Sequence, residues 1–210
     1  MTGLYRDQHA RALFDGLVEP LERAVMVAQC DIQLRDAGRK ASAASHPGAI
    51  RSFYPFWDVQ YRPFLLQAVA ALPADRFDFK PRPEMFTAHQ IVVHIAECER
   101  GWIHNIVEGG TEEEWVVPHE DPAQGWVTVV DLPDHAALFA ALDEWHRHTQ
   151  AWLDKPASEL SREFTWRGDR GVERRGTLHW ILDHLQEHDL HHRAQLNLYL
   201  RLMGVEPPSI

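Results

Sequence analysis

From Thr177 to Met203 the chain runs without a proline or glycine, then reaches Gly204 and Pro207-Pro208. Such a stretch reads as one long helix with Gly204 just past its end and prolines beyond. At about 100° per residue, Ile181, Leu185, Leu196, Tyr199 and Met203 fall on one arc, and His188 and His192 fall on it too, about 40° apart. A helix with an apolar stripe must bury it against other elements, so the chain has to supply partners of comparable length.

Those partners are legible upstream. A helix is predicted from about Trp57 to Leu72, closed by Pro73, with Leu65, Leu66, Val69 and Ala70 on its apolar face. Asp78-Phe79-Lys80-Pro81-Arg82-Pro83 reads as an extended link. Thr87 caps a helix running to about Val107, ended by Gly109-Gly110. Residues 111–132, acidic and bearing prolines and tryptophans, read as a long surface loop. Asp131 or Asp134 starts another helix that ends near Lys155-Pro156, and residues 162–176 suggest a short hairpin around Gly168-Asp169-Arg170-Gly171. Residues 7–36 are helical in composition, interrupted by Gly16 and Pro20, and residues 37–50 read as a connection. The expected fold is all-α. Residues 51–210 form a four-helix up-down bundle with a longer crossover loop, and residues 1–50 are an N-terminal helical extension.

Charge and composition exclude several classes. Formal net charge is −10, with 31 acidic against 21 basic side chains, a balance that gains little from releasing counterions on phosphate. Nucleic acid is therefore not an expected partner. No apolar run approaches the roughly 20 residues that span a bilayer, so no membrane segment is expected. The residues after Met1 lack the basic start and apolar stretch of a signal peptide, which makes the expected location cytoplasmic. Cys30 and Cys98 offer neither a disulfide framework nor a CxxC pair.

The unusual count is histidine, at 14. His188 and His192, at i and i+4 on the inward arc, have the spacing at which two imidazoles share one metal. The competing reading of the spacing is a hydrogen-bonded polar core network. A third ligand must come from another helix, and His94 is the candidate, since its arc includes Ile91, Cys98 and Trp102 while Glu99 and Val92 face away. Cys98 follows one turn later, as a further ligand or as a small buried hydrophobe. His89 and His104 lie off the His94 arc, His146 and His148 belong to a charged helix whose default is a solvated face, and His191 lies at the margin of the stripe. His184, one turn before His188, is a candidate pocket residue.

The pattern His188, His192-Arg193-Ala194-Gln195, with His184 one turn earlier and His94 followed by Glu97 or Glu99, resembles the DinB-like family. The Leu72-Pro73, Phe79-Lys80-Pro81 and Leu200-Arg201-Leu202-Met203-Gly204 segments fit the same resemblance, which covers residues 57–208. It implies a bundle with a crossover at 111–132, and a divalent metal, zinc or nickel, held by His94, His188 and His192. Ala194 stands where that family commonly has glycine, and residues 1–50 have no counterpart in its core.

Three histidines would leave a zinc ion with an open position, the layout of a catalytic site. The resemblance implies a metal-dependent enzyme that transfers or activates a low-molecular-weight thiol, such as bacillithiol or mycothiol in related proteins. The alternatives are a hydrolase working through a metal-activated water, and a non-catalytic module in which the metal staples the bundle. Gln195, within the inward arc, is expected to orient substrate or water, and Glu97 to serve as general base or as a partner to an imidazole. Arg193 points away. The eight tryptophans exceed what one small core absorbs comfortably, so a homodimer is expected as well.

Overall fold

The structure, a computed structural model, describes residues 48–111, 113–168 and 171–209. The expected N-terminal helical extension lies outside the described residues. The rest is mostly helical: α1 (Arg62–Ala70), α2 (Ala88–Arg100), α3 (His135–Leu153) and α4 (Leu178–Leu202). Two small antiparallel sheets accompany them, so the fold is not purely α. Strands β1 (Val116–Pro118) and β2 (Trp126–Thr128) pair inside the segment read from sequence as a plain loop. Strands β3 (Glu163–Arg167) and β4 (Glu173–Thr177) form the hairpin suggested by residues 162–176. Strands of three residues carry too short an alternation to be read from sequence, which is why the first pair escaped notice.

Local chemistry sets the helix ends. Thr87 accepts from the backbone N–H of Gln90 at 3.1 Å, and the Gln90 side chain accepts from the N–H of Thr87 at 2.9 Å, a reciprocal cap that fixes the start of α2. Asp134 caps α3 through Ala137 N–H and Thr177 caps α4 through Trp180 N–H. Gly204, at φ +79°, turns the chain out of α4 through a conformation that side chains rarely adopt. Two helices depart from α geometry. Trp57–Tyr61 is a π-helical turn leading into α1, and α2 continues as a π-helical segment over Gly101–Val107. These wider turns change which faces residues 57–61 and 101–107 present.

Two apolar clusters fill the interior. One joins Leu65, Val69, Ile91, Ile95, Leu142 and Tyr199; the other joins Ile50, Trp57, Ile103, Leu153, Leu178 and Leu182. Between the helices runs a buried ionic network. Arg62 of α1 reaches Glu99 of α2 at 3.1 Å, Asp189 of α4 at 3.1 Å, and the carbonyl of Leu142 in α3 at 2.7 Å, so one guanidinium ties all four helices. The indole N–H of Trp57 donates to Asp189 at 3.0 Å. His146 of α3 lies 2.7 Å from Glu99 through Nδ1 and 2.8 Å from Asp58 through Nε2. Both partners are carboxylates, so the ring satisfies them by donating from both nitrogens, which requires the imidazolium. Burial alone would lower its pKa, but the Glu99 charge and both hydrogen bonds raise it to about 9.

Two sequence expectations are corrected here. His146, expected on a solvated face, is 2 % exposed, and Glu99, expected to face away, is 3 % exposed. Each is a polar residue whose burial is compensated by a partner on another helix, and that compensation is invisible to a single-helix reading. Among the described residues no helix is long and apolar enough to cross a membrane.

Candidate metal centre

Helices α2 and α4 pack against each other, and that contact brings His94 to His188 and His192. His188 Nε2 stands 3.2 Å from His94 Nε2 and 3.1 Å from His192 Nε2. The ring centroids are 5.0 Å, 5.2 Å and 4.2 Å apart for the pairs 94–188, 94–192 and 188–192. Two ligands on a tetrahedral zinc at 2.0–2.1 Å stand about 3.3–3.4 Å apart. The observed separations are close to that value without any rearrangement of the backbone.

The far sides of two of the rings are held. His192 Nδ1 donates to Gln195 Oε1 at 2.8 Å, three residues on in α4. A carbonyl oxygen only accepts, so the proton is on Nδ1 and the Nε2 lone pair faces the other rings. His94 Nδ1 lies 3.4 Å from Glu97 Oε2. The other Glu97 oxygen accepts from the backbone N–H groups of Trp115, at 2.5 Å, and Val116, at 3.3 Å. Glu97 thereby pins the β1–β2 segment onto α2, and Gln90 does the same through the carbonyl of Trp126 at 2.8 Å. Phe86, packed on the Trp126 ring, lies 5.4 Å from the His94 ring and closes that flank.

Electrostatics favours the neutral form of His188 and His192. Burial, then the neighbouring histidines, lowers His188 to a pKa of about 2, and burial with the His94 neighbour lowers His192 to about 4. Neutral imidazoles with inward lone pairs repel one another unless a cation sits between them. The donor set and its spacing fit a divalent ion such as zinc or nickel.

Of the candidates read from sequence, His94, His188, His192, Glu97 and Gln195 share this centre. Cys98 does not join the donor group. Its thiol packs with the second apolar cluster, and burial, with Glu99, Asp189 and Glu97 nearby, pushes its pKa well up. His184 lies 5.9 Å from His188, ring to ring, and stacks on Trp180 at 5.4 Å. Trp102 meets Trp166 and Trp180 edge-on at 5.0 and 5.3 Å, so this aromatic group adjoins the centre. Arg193 lies over the ring of Phe64, away from the histidines. The sequence reading missed the buried network and a second group, His104, Glu108 and His148. His104 stands off the His94 arc, as expected, and its partner His148 lies on another helix, which a single-helix reading does not reveal.

No curated protein matches the chain. A sequence model of the DinB family, in contrast, matches residues 53–210, which include every helix described above and all three histidines of the centre. The chain belongs to the DinB family.

Proposed function

We propose that this protein is a divalent-metal-dependent enzyme that activates or transfers a low-molecular-weight thiol, with the ion held by His94, His188 and His192. The observation that carries the reading is the convergence of three imidazole Nε2 atoms on one point at the spacing of metal ligands. An ion bound there by three neutral ligands would keep its double charge and an open position, and would supply Lewis acidity toward a thiol or a water.

The protein's own groups favour the thiol. A thiol of ordinary pKa near 8.5 is readily deprotonated beside a cation and asks for no strong base. Hydrolysis gains from a free carboxylate, and Glu97 is not free: one oxygen is committed to two backbone N–H groups and the other faces His94. Glu97 and Gln195 act by orienting imidazoles, so both are positioning residues in this reading. The aromatic group of Trp102, Trp166 and Trp180 offers an apolar flank for the carbon skeleton of an electrophile. Cys98 outside the donor group leaves the coordination sphere open, which argues against a purely structural staple.

The same reading treats residues 51–210 as an up-and-down four-helix bundle with a crossover at 111–132, preceded by an N-terminal extension. It also includes a homodimer, supported by the exposed side chains of Phe53, Phe56, Val59 and Trp180, and testable by light scattering. The direct test of the activity loads the protein with zinc or nickel and offers small thiols with a panel of electrophiles, and separately a panel of esters. Thiol consumption that depends on metal and stops on chelation is the expected result. Ester hydrolysis without thiol transfer would favour the hydrolase, and no turnover of either class would overturn the enzyme reading.

A further inference from the structure

We propose that His104, Glu108 and His148 form a second divalent-cation site of two imidazoles and one carboxylate, separate from the three-histidine centre. The proposal does not rest on the function read for that centre. The π-helical segment Gly101–Val107 carries His104, and Glu108 ends it, its N–H donating to the carbonyl of Ile103 at 2.9 Å. α3 presents His148 opposite. The Nδ1 atoms of His148 and His104 lie 2.9 and 3.4 Å from the same oxygen, Glu108 Oε2, and one donor atom from each residue lies within 4.8 Å of the others. Two ligands sharing an ion at about 2.0–2.2 Å stand about 2.8–3.5 Å apart, so both separations already suit one cation.

Three surrounding groups hold the arrangement. The Trp152 indole N–H donates to Glu108 Oε1 at 3.2 Å, which turns Oε2 toward the imidazoles. The ring of Trp145 lies against both histidines, at 5.4 Å from His104 and 5.2 Å from His148. Gly110 donates its N–H to the His104 carbonyl at 2.8 Å, and a Cβ there would fall 2.4 Å from His104 Nε2, so a larger residue would push the ring out of its present pose. Ligands held in place before binding lose less freedom when the ion arrives.

The site differs from the three-histidine centre in two respects. Its side chains are about a third exposed, at 34, 28 and 38 % for His104, Glu108 and His148, so an ion enters from solvent and keeps water on its free positions. It also has a carboxylate among its candidate ligands where the other centre has imidazoles alone, a mixed set that suits zinc, nickel or cobalt.

Zinc stoichiometry after equilibrium dialysis tests this in the full chain. Removing the first centre with His188→Ala should leave one tightly held zinc per chain. Adding Glu108→Gln to that variant should weaken the remaining site by more than about tenfold, since removing even a residue that only supports a ligand costs 10–100-fold. Cobalt added to His188→Ala should quench tryptophan fluorescence from Trp145 and Trp152, and the Glu108→Gln change should abolish the quenching. A His188→Ala protein that holds no zinc, or that holds it equally well with Glu108→Gln, would overturn the proposal and leave the three residues as a hydrogen-bonded cluster. Failure of the three-histidine centre reads out separately, as a His104→Ala/His148→Ala protein that holds no zinc.

Discussion

Gln195 accepts the Nδ1 proton of His192 at 2.8 Å, three residues along α4, and so decides which nitrogen of that imidazole faces His94 and His188. Glu97 stands in the corresponding place behind His94, with Oε2 at 3.4 Å from Nδ1. The two residues hold rings that could otherwise rotate or take the other tautomer.

Gln195→Leu and Glu97→Gln are therefore expected to keep the fold and to lower zinc affinity roughly 10–100-fold. Isothermal titration in the His104→Ala/His148→Ala background isolates the effect. Activity restored to the original level at saturating metal would mark both residues as purely positional. A deficit that persists in Glu97→Gln at saturation would give its carboxylate a part in turnover.

His188→Ala removes the ring that touches both other imidazoles. It should abolish metal retention at this centre and all metal-dependent turnover. Circular dichroism should show the helices intact, because the buried ionic network and the apolar clusters do not include His188.

The buried network predicts a pH dependence of stability. His146 has a folded pKa of about 9, above its ordinary value near 6.5, so its contribution is fully present below about 6.5 and is lost as pH rises through about 9. Glu99 is depressed, burial being outweighed by Arg62 and His146, to about 2, and its contribution is lost as pH falls below about 4.5 toward that value. His188 and His192, held below their ordinary value, cost stability as pH falls below about 6.5, so urea midpoints of the metal-free protein should be highest near pH 7. The His146 contribution lost on the alkaline side should amount to about 3 kcal/mol. A His146→Gln protein should lose that alkaline slope.

Arg62→Met removes the guanidinium from buried Asp189 and leaves buried Glu99 with His146 alone. The expected cost is about 3–5 kcal/mol, read from denaturant unfolding. A loss below about 1 kcal/mol would mean that the carboxylates take up protons at little cost and that the network is not a principal tie between the helices.

The long helices and the three-histidine centre were legible because their signals are local or periodic. Thr87, Asp134, Thr177 and Gly204 mark helix ends by side-chain or backbone chemistry within a few residues. His188 and His192 share an arc on one helix, and His94 lies on the apolar arc of another. What escaped depends on distant partners. His146 and Glu99 look like surface residues until α2 and α3 are laid together. His104 lies off the His94 arc, and its neighbour His148 stands on another helix, at 5.9 Å ring to ring. The β1–β2 pair is held to α2 through side chains of Gln90 and Glu97, and nothing in the segment's own pattern announces it.

X-ray absorption at the zinc edge tests the central claim most directly. The sample is zinc-loaded His104→Ala/His148→Ala protein in thiol-free buffer, so that only the three-histidine centre is observed. The account predicts three imidazole nitrogens at about 2.0–2.1 Å with a further oxygen ligand, and no sulfur. A sulfur shell at about 2.3 Å, which would bring Cys98 onto the ion, or a protein that retains no zinc, would contradict it.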